Sequence, residues 1–565
     1  MPKFKQVRSG KTLRFIPLGG AGHVNRNMFA YECGEDIIIL DCGAGFPDFE
    51  MLGVDVTLPD ISYLEKEGRK SKVRGIIITH AHYDHFGALP HILPHLPVPV
   101  YGSKLTLEFV KLALADQGLP EKQDLFEIAP EKDSFSLGCF RITPFRVCHS
   151  VPDSLGFILQ TPVGNIFHVS DFKFDWTPVD GRLFEVGKVV SAAQKEQPLA
   201  LVSDSLGATT PGYTQSEKDI EASLEREIEE AEGRQVFVVT ISSNISRIKQ
   251  TVAASLECGR KICFLGRSME QSSLIAEKLG YLKLTKKDLV EPRGAKGFDQ
   301  SQLTYVAAGC YGQPNSAISK VAGGEHSLVK LKEGAKVVFS ADPSPPGARN
   351  AVDLVIDRLI LLGAQVSYYE IQENMHVSGH GSAGDIQMLM GLVKPKYFVP
   401  IGGTPKHMRA YSLLAQEMGN PQEAILELRE GEFLEFKDRK ATRGNFSFRD
   451  VLVDGIRVGD VGEVVLHDRQ ILANDGIVVL IIPINPKSGE ISGEVKIATR
   501  GFVYVKESRG LISDLEKVVR KTAESKPSKK KDWKKLRQQL EIDVRNLIRQ
   551  RTGRSPLILP VVVET

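Results

Sequence analysis

The sequence lacks the charge excess, the cysteine pattern and the long apolar runs that mark several classes of protein. Its 72 basic and 70 acidic residues leave a formal net charge of only +2, so any attraction to nucleic acid must come from local patches. Its seven cysteines are an odd number without a Cys-x-x-Cys pair, which argues against a disulfide framework or a zinc knuckle and favours a reducing compartment. No stretch approaches the roughly 20 apolar residues of a membrane span, and residues 1–6 contain no apolar signal core. These absences predict a cytoplasmic protein that does not enter a membrane.

Three histidines and an aspartate stand within six positions, directly after an apolar strand predicted at 73–78. The run reads Thr79-His80-Ala81-His82-Tyr83-Asp84-His85. A chain that leaves a strand in a tight loop can aim the first two histidines at one cation, and the aspartate and third histidine at a second. Three of the chain's 13 histidines at this spacing are better explained by a metal than by a surface cluster. The run therefore predicts half the ligands of a two-metal centre.

Further candidate ligands follow other predicted strands. His149, Asp171 and Asp41 each come directly after a strand-like, apolar run. A histidine completing the shell of the first cation, a carboxylate bridging both cations and a carboxylate orienting the imidazoles are the roles these positions could fill. Each residue alone could be an ordinary loop or turn residue, but their order along the chain favours a metal site.

This order of residues resembles that of the metallo-β-lactamase superfamily, whose members place two metals between two αβ layers. Further short motifs make the chain similar to ribonuclease J, a bacterial and archaeal member of the β-CASP branch, from about residue 12 to its end. These motifs are Ile16-Pro17-Leu18-Gly19-Gly20, Leu40-Asp41-Cys42-Gly43, Phe46-Pro47, Ser203-Asp204-Ser205, Pro211-Gly212-Tyr213-Thr214, Gly266-Arg267-Ser268-Met269, His376-Val377-Ser378-Gly379-His380 and Arg500-Gly501-Phe502-Val503-Tyr504-Val505.

The resemblance implies an α/β fold with three parts: an αββα metallo-β-lactamase sandwich, an inserted parallel α/β β-CASP domain and a small α/β C-terminal domain. The expected boundaries are 1–212 and 371–445 for the two parts of the sandwich, 213–370 for the insert, 446–460 for a linker and 461–565 for the C-terminal domain. Within the insert, helices predicted at 217–232, 245–256, 268–279 and 351–362 alternate with strands at 236–240, 261–265, 336–340 and 365–369. That alternation indicates an open parallel sheet.

The C-terminal region is predicted to contain three strands, two long helices and an apolar tail. The strands are expected at 461–466, 477–482 and 502–505, the helices at 512–523 and 533–550, and the tail at 557–563. Segment 526–535 carries six lysines, which predict a solvated linker or helix start, with an RNA-contacting arm as the alternative. The family's C-terminal domain is associated with dimer assembly, so the resemblance implies a homodimer, a homotetramer or a hetero-oligomer with a homologue.

The resemblance further implies that two divalent cations hydrolyse RNA phosphodiesters. Zinc is the expected metal, with manganese or magnesium as alternatives, because shells of histidine and aspartate accept several ions. Two cations roughly 3.5–4 Å apart lower the pKa of a bound water and neutralise charge on the phosphoryl oxygens. The expected ligands are His80, His82, Asp84, His85, His149 and Asp171, with Asp41 behind them.

Protonation of the leaving oxygen falls, by the same resemblance, to His380 supported by Asp204. A buried aspartate beside an imidazole favours the imidazolium form, which suits a general acid. Family members degrade RNA processively from a 5′ monophosphate and also cut internally, so a phosphate cradle is expected. The residues expected to bind phosphate or RNA are His376, Ser378, Gly379, Ser243, Asn244 and Phe46. In its turn before a proline, Phe46 could equally stack on a base or simply pack.

The sequence departs from the family where a metal ligand is expected. Motif C of ribonuclease J contains Pro-Val-His-Gly-Glu, whose histidine completes the second metal's shell, whereas this chain reads Pro400-Ile401-Gly402-Gly403-Thr404. Gly402 cannot coordinate through a side chain, and His407 could replace the ligand only by swinging in. We therefore expect a weak second site, filled by a cation in excess or with the help of substrate oxygens.

Two classes of function follow. The first is a working ribonuclease of RNA processing and decay, acting on single-stranded RNA as a 5′-to-3′ exonuclease and an endonuclease. The alternative is a catalytically impaired paralogue that binds RNA and assembles with an active ribonuclease J. The intact histidine run favours the enzyme, because a scaffold has no physical need to keep it, whereas Gly402 favours the scaffold. The inserted domain argues against a third class, a metallo-hydrolase of small molecules.

Overall fold

The computed structural model describes residues 12–565 except 49, 120–122, 132–133, 342–348, 369–374, 456, 460–461, 486–489, 503–508 and 525–532. The chain divides into two compact units: one comprises the chain up to Phe46 together with Thr57–Val451, and the other joins Pro47–Val56 to Leu452–Thr565. No helix formed by the described residues is both long and apolar enough to cross a membrane.

Two sheets of the larger unit face each other across a shared core. The eight-stranded sheet has the order Lys440–Asn445, Glu432–Lys437, Leu13–Gly19, Met28–Cys33, Asp36–Leu40, Val73–Ile77, Val100–Gly102 and Leu125–Glu127. The six-stranded sheet has the order Tyr397–Ile401, Ala200–Asp204, Asn165–Val169, Leu155–Gln160, Phe140–Arg146 and Phe135–Leu137. Apolar side chains of both sheets, among them Phe29 and Phe157, form one buried cluster. Because apolar surface is removed from water on both inner faces, this cluster holds the two layers together.

Helices cover the outer faces of the two sheets. Val186–Lys195, Ala383–Val393 and Pro405–Glu417 share a second buried cluster with the outer side of the six-stranded sheet. Lys104–Asp116 lies against strands at the edge of the eight-stranded sheet. The layer order is therefore helix, sheet, sheet, helix, which confirms the predicted αββα sandwich.

The inserted domain is an open, all-parallel sheet of five strands. Its order is Lys261–Leu265, Leu303–Ala307, Val236–Val239, Lys336–Phe339 and Gln365–Ser367. Its helices are Glu221–Glu229, Ile245–Glu257, Arg267–Lys278, Ala317–Ala322 and Arg349–Leu361. The four predicted strands are present where the structure describes them, residue 369 lying outside. Leu303–Ala307 was not predicted, because a short, mostly apolar run without regular alternation can belong to a buried strand or to a helix.

The described residues of the smaller unit include a three-stranded sheet with one strand near the end of the chain, and three helices of 12 residues or more. The sheet has the order Lys496–Arg500, Ile477–Ile484 and Leu557–Glu564, the last two strands being parallel. The helices are Glu463–Asn474, Arg509–Glu524 and Trp533–Thr552. The apolar tail predicted at 557–563 is thus a strand of the sheet. Of the other predictions, residues 503–505 of the strand at 502–505 and residues 526–532 of the lysine-rich segment lie outside the described residues.

The strand predicted at 461–466 is wrong for the residues that the structure describes there. Residues 463–466 form the first turn of the helix Glu463–Asn474. Gly462 stands at its N-cap and the acidic Glu463 in its first turn, where negative charge is favourable. Three apolar residues in a row, 464–466, look like a strand but are also compatible with a helix whose next apolar residues come about one and a half turns later.

The remaining elements are short or connect the layers. The strands are Val56–Leu58, Val451–Asp454 and Arg457–Val458, and the α-helices are Ser62–Glu65, Tyr83–Phe86 and Leu89–Ile92. The 3-10 turns are Arg69–Lys72, Leu206–Thr209, Glu217–Ile220, Ala295–Gly297, Gln300–Gln302 and Gln422–Ala424.

Several parallel strands of the sandwich end at the candidate site. Asp36–Leu40 is parallel to Val73–Ile77, and Asn165–Val169 is parallel to Ala200–Asp204. Because parallel strands end at a common edge, the residues that follow them can meet there. The chain places Asp41, the segment 79–85, Asp171, Asp204 and Gly402 directly at or after such strand ends.

Candidate metal centre

Four donor atoms of the ligands predicted for the first cation lie close together. His80, His82, His149 and Asp171 each offer one ligand atom, and these atoms lie within 4.8 Å of one another. Nδ1 of His82 lies 3.0 Å from Nε2 of His80 and 2.9 Å from Nε2 of His149. Oδ2 of Asp171 lies 3.6 Å from both of those Nε2 atoms. Donors at these separations can all lie about 2 Å from one central ion, the distance that zinc keeps to histidine and carboxylate.

A second group shares the same carboxylate oxygen. Nε2 of His85 lies 3.4 Å from Oδ2 of Asp84 and 3.4 Å from Oδ2 of Asp171. Asp171 therefore stands between the two groups, in the position of a bridging ligand. Among the described residues this second group has three donors, one fewer than the first.

The imidazoles are oriented by hydrogen bonds on their other nitrogens. The pairs are His80 Nδ1 with Thr79 Oγ1 at 2.9 Å, His82 Nε2 with Ser150 Oγ at 3.3 Å, His85 Nδ1 with Asp41 Oδ2 at 2.8 Å, His149 Nδ1 with the Gly379 carbonyl at 2.7 Å and His380 Nδ1 with Asp204 Oδ2 at 2.7 Å. Such partners fix the tautomer and turn the free nitrogen toward a metal. All five rings thus present a nitrogen to the interior of the cluster.

Asp41 is the central residue among these hydrogen-bonding partners of the imidazoles. Its side chain is fully buried and accepts hydrogen bonds from the Thr79 amide at 2.8 Å and from the Thr79 hydroxyl at 3.0 Å. Its backbone φ of 62° lies in the left-handed region, which aspartate tolerates better than most residues. Burial raises the pKa of Asp41, although the facing His85 opposes that change. Asp41 therefore orients two ligands, His80 through Thr79 and His85 directly.

The electrostatics of the first group suit metal binding. Burial lowers the pKa of His80 and His149 well below the ordinary histidine value and that of His82 to about 4. Neutral imidazoles keep the lone pair that a metal requires. Burial alone would raise the pKa of Asp171, but the charges of His85 and His380 hold it well below its ordinary value. The group therefore offers three neutral nitrogens and one carboxylate.

The charge around His85 is strongly negative. Burial would lower its pKa, but Asp171, Asp84 and Asp41 together hold that pKa well above the ordinary histidine value. The same carboxylates would favour a divalent cation, whose binding displaces the proton. The donor sets of both groups therefore fit divalent metals.

His380 and Asp204 form a pair at the rim of the cluster. His380 Nε2 lies 3.8 Å from Asp171 Oδ2, and its side chain is 21% exposed. Burial acts to lower the pKa of His380, but the charges of Asp204 and Asp171 raise it to about 9. Asp204 is buried, and its second oxygen accepts a hydrogen bond of 2.8 Å from the Leu206 amide. The structure therefore holds an imidazole with one nitrogen on a carboxylate and the other facing the metal groups.

Gly402 leaves room beside this pair. It follows the strand Tyr397–Ile401 with a φ of +67°. A Cβ built there would lie 3.4 Å from Asp204 Oδ1, with no other described atom within 4 Å. His407 belongs to none of the donor groups found among the described residues. Instead its Nδ1 lies 3.2 Å from the Thr404 amide and 2.9 Å from the Thr404 hydroxyl, where it caps the helix Pro405–Glu417.

The residues predicted to bind phosphate or RNA are only partly brought to the cluster. The Gly379 carbonyl holds His149, and a Cβ at Gly379 would lie 2.7 Å from that ring. Ser378 Oγ accepts a hydrogen bond of 3.0 Å from the His380 amide. Asn244 and Ser243 lie in the inserted domain, at the start of the helix Ile245–Glu257, which Asn244 caps. Burial acts to raise the pKa of Glu217, but Lys173, Arg247 and, to a smaller extent, His376 lower it to about 2. Phe46 is exposed.

A buried ion network connects the sandwich to the inserted domain. Glu217 lies 3.3 Å from Lys173 Nζ and 2.7 Å from Arg247 Nη2. Arg247 and Ser340 both donate to the carbonyl of Met375, Ser340 at 2.7 Å. Charges out of water are stable only when paired in this way. The network fixes the chain just before the segment 376–380, which carries the Gly379 carbonyl and His380.

Three polar residues of the site carry no sequence prediction. Thr79 and Ser150 adjoin His80 and His149 in sequence, so a search for hydroxyl groups next to ligands could have found them. Asn27 is far from the ligands in sequence, yet its Nδ2 lies 3.2 Å from His85 Nε2 and 3.3 Å from the Asp84 carbonyl. No local pattern signals a contact of this kind.

Comparison with protein families gives four matches along the chain. They are "Beta-lactamase superfamily domain" at residues 36–186, "Ribonuclease J, beta-CASP domain" at 232–359, "Zn-dependent metallo-hydrolase RNA specificity domain" at 368–425 and "Ribonuclease J C-terminal domain" at 464–565. The first match covers Asp41 and the candidate metal ligands from His80 to Asp171, and the third covers the segment with His380.

Individual relatives agree over almost the full length. Ribonuclease J2 of Bacillus subtilis is 34% identical over 559 residues, covering 99% of each chain. Ribonuclease J of Thermus thermophilus is 36% identical over 563 residues, covering 98% of this chain and 95% of that protein. The crystal structure of an Enterococcus faecalis protein of unknown function aligns with a TM-score of 0.52 at 16% identity, over 75% of this chain and 99% of that chain, and supports the fold alone. The full-length identities show that this chain belongs to the ribonuclease J family of metallo-hydrolase RNA nucleases.

Proposed function

We propose that this chain is an active, metal-dependent ribonuclease that degrades single-stranded RNA from a 5′ monophosphate and also cuts internally. The observation that carries the proposal is the complete donor group of His80, His82, His149 and Asp171, joined through Asp171 to the His380–Asp204 pair. Burying these ionisable groups is costly unless they bind a metal or one another. A protein that only bound RNA would have no physical need to bury these ionisable groups together.

The proposed cofactor is a pair of divalent cations, zinc being the first choice. His80, His82, His149 and Asp171 would hold the first, and Asp84, His85 and Asp171 the second. When bound, the cations supply a water of lowered pKa and neutralise charge on the phosphoryl oxygens. The second cation is proposed to bind more weakly, because its group has three donors.

The protein's own residues are proposed to handle the proton and the substrate. His380 Nε2 faces the cluster and donates a proton to the leaving oxygen, while Asp204 keeps the ring oriented and charged. Ser378, whose hydroxyl accepts a hydrogen bond from the His380 amide, and the backbone at Gly379 would bind the phosphate, together with His376 and with Ser243 and Asn244 of the insert. We also propose that the chain has the domain boundaries given above, that it forms an oligomer through its C-terminal unit and that it is located in the cytoplasm.

The proposal is tested by incubating the purified protein with manganese and a single-stranded RNA that carries a 5′ monophosphate, beside the same RNA with a 5′ triphosphate. We expect mononucleotides to be released from the monophosphate substrate and less release from the triphosphate. Binding without cleavage, at any metal concentration, would instead support the alternative, an impaired paralogue that assembles with an active ribonuclease J.

We predict that Gly402→His strengthens the second cation site and raises activity at low manganese. Among the described residues, a Cβ at Gly402 would meet only Asp204 Oδ1, at 3.4 Å. A fourth donor should increase the affinity for the second cation by at least about tenfold, which is the smallest loss typical of removing one group that orients a metal ligand. Metal stoichiometry by manganese titration, read by electron paramagnetic resonance, measures the effect directly.

Gly402→Ala is the matched control for this substitution. It carries the same strain of a φ of +67°, which costs about 1 kcal/mol or more for a residue with a Cβ, but adds no donor. Its cation binding should equal that of the unaltered protein. Equal stoichiometry and rate in Gly402→His would show that the missing ligand does not limit the enzyme.

A further inference from the structure

The side chain of Asn27 reaches the second donor group from a distant part of the chain. Its Nδ2 lies 3.2 Å from Nε2 of His85 and 3.4 Å from Oδ2 of Asp84. Both of these atoms belong to the second donor group described above. Asn27 is only 1% exposed, so bulk water hardly reaches its amide. The amide therefore lies where a further ligand of the second cation would lie.

The two polar atoms of this amide are unequally satisfied. Nδ2 donates to the Val24 carbonyl at 3.1 Å and to the Asp84 carbonyl at 3.3 Å. Oδ1 is buried and accepts no hydrogen bond from any residue that the structure describes. A buried amide oxygen without a partner is unfavourable and is rare in folded proteins. This oxygen is thus free to serve as a ligand.

The backbone holds Asn27 against the turn that carries Asp84 and His85. Its amide donates to the Asp84 carbonyl at 3.0 Å, and its carbonyl accepts a hydrogen bond of 2.8 Å from the Gly43 amide. The strand Met28–Cys33 begins directly after it. Because the backbone is fixed on both sides, rotation about the side-chain bonds is the main freedom left to the amide.

A half turn about the Cβ–Cγ bond exchanges Oδ1 and Nδ2, which have nearly the same size. Oδ1 then takes the place of Nδ2, about 3.2 Å from Nε2 of His85 and about 3.4 Å from Oδ2 of Asp84. The donors of the second group are themselves 3.4 Å apart, from Asp84 to His85 and from His85 to Asp171. The turned oxygen therefore joins the three donors at separations that fit one ion.

Gly20 connects this amide with the position of the missing histidine. A Cβ built on Gly20 would lie 2.5 Å from Oδ1 of Asn27, so a side chain there would take the space in which the amide turns. The carbonyl of Gly20 faces the amide of Gly402 at 3.4 Å. Asn27 and Gly402 are thus both neighbours of Gly20, and the amide lies near the place where the chain lacks a ligand.

We propose that Asn27 is an additional donor to the second cation, with its amide turned so that Oδ1 faces Asp84, His85 and Asp171. This inference rests on the proposed function, because it assumes two cations. A cation repels an N–H group, whereas an amide oxygen is a ligand that manganese and magnesium accept. Attraction between cation and oxygen replaces the two hydrogen bonds that the turned amide gives up.

The added oxygen makes the second donor group different in kind from the first. Two carboxylates, an amide oxygen and one imidazole form the second group, whereas the first has three imidazoles and one carboxylate. Oxygen donors favour manganese and magnesium more than imidazoles do. The second site therefore favours these ions, relative to zinc, more than the first site does, and manganese is the suitable probe.

The test is a titration of the purified protein with manganese, followed by the electron paramagnetic resonance signal of the free ion. We expect Asn27→Leu, which keeps the approximate size of the side chain but has no oxygen, to weaken binding of the second cation by about tenfold or more. Asn27→Asp keeps an oxygen donor and should bind the second cation at least as tightly as the unaltered protein does. The first cation, which binds earlier in the titration, should keep its affinity in both variants and so reports that the fold is retained.

Asn25→Leu is the matched control. Asn25 lies two residues earlier in the same loop and is half-buried, with its Oδ1 2.7 Å from a Cβ built on Gly45. This variant should bind both cations as the unaltered protein does. Introducing Gly402→His into Asn27→Leu supplies another donor and should restore the second cation. Failure of this rescue would mean that Asn27 holds the turn of Asp84 in place, which would overturn its role as a donor.

A spectroscopic measurement detects the bond itself. Electron nuclear double resonance of bound manganese, in protein whose asparagines carry carbon-13 at Cγ, should show a coupling to that carbon. The coupling should persist in Asn25→Leu and disappear in Asn27→Leu. If the unaltered protein with both cations bound shows no such coupling, the amide oxygen is not a ligand.

The outcomes separate this inference from the proposed function. Equal affinity for the second cation in Asn27→Leu and the unaltered protein would overturn the inference. Equal weakening in Asn27→Leu and Asn27→Asp would do the same, because both substitutions remove the N–H group that faces Asp84. In either case a protein that still cleaves RNA keeps its proposed function. If the unaltered protein binds no manganese and cleaves no RNA, the proposed function fails and the inference with it.

Discussion

His82→Ala is expected to abolish hydrolysis of RNA and to remove the first cation from the protein. Nδ1 of His82 lies about equally far from the other two imidazole donors, at 3.0 and 2.9 Å, so its loss opens one side of the group. A water-activating cation supplies several kcal/mol of transition-state stabilisation, which corresponds to a rate loss of about a thousandfold or more. Plasma mass spectrometry of the purified variant and single-turnover cleavage of RNA measure the two effects.

His95→Ala is the control for that experiment. His95 is exposed, lies just after the short helix Leu89–Ile92 and belongs to none of the donor groups. Its replacement should leave both metal content and rate unchanged. A His82→Ala protein that kept its metal and its activity would show that His82 is not a ligand of the cation on which hydrolysis depends.

From the residues alone, only those site residues that lie close together in the chain could be predicted as one site. The segment from His80 to His85 follows one strand and carries four donors, so the spacing of these donors already indicates a metal site. His149 and Asp171 could be proposed because they follow strands, and their convergence on one point became visible only in the structure. The pairing of His380 with Asp204 spans 176 residues and was expected only through the resemblance to ribonuclease J.

Backbone groups were the least predictable contributors. The Gly379 carbonyl orients His149, yet every residue has a carbonyl, so no residue type signals such a contact. The chain reaches Gly379 only after the inserted domain, and the network of Arg247 and Ser340 at Met375 fixes its path. The geometry of a metal ligand in the sandwich thus depends on packing in the insert, which no motif encodes.

The fold was predictable where helices and strands alternate, and less so elsewhere. In the insert, the strand Lys261–Leu265 has the predicted bounds, since a charged residue begins a short buried run. The strand Leu303–Ala307 and the helix Glu463–Asn474 were missed or wrongly assigned, because tertiary burial and not local pattern decides between helix and strand for short apolar runs.

His380→Gln is expected to slow RNA hydrolysis by about 10² to 10⁴, the range of general acid catalysis, without loss of metal. Asp204→Asn should act in the same direction, because it removes the charge that raises the pKa of His380 to about 9. A general acid matters most when the leaving oxygen is a poor leaving group, as the sugar oxygen of RNA is. A p-nitrophenyl ester of a 5′-nucleotide releases a phenolate that needs no proton.

Comparison of the two substrates therefore separates proton donation from other roles of His380. Both variants should lose far more rate on RNA than on the p-nitrophenyl ester, while metal content stays at the level of the unaltered protein. Equal losses on both substrates would mean that His380 positions the phosphate or the cations and donates no proton. Its Nε2, 3.8 Å from Asp171 Oδ2, would then act through the bridging carboxylate, and the leaving oxygen would take its proton from water.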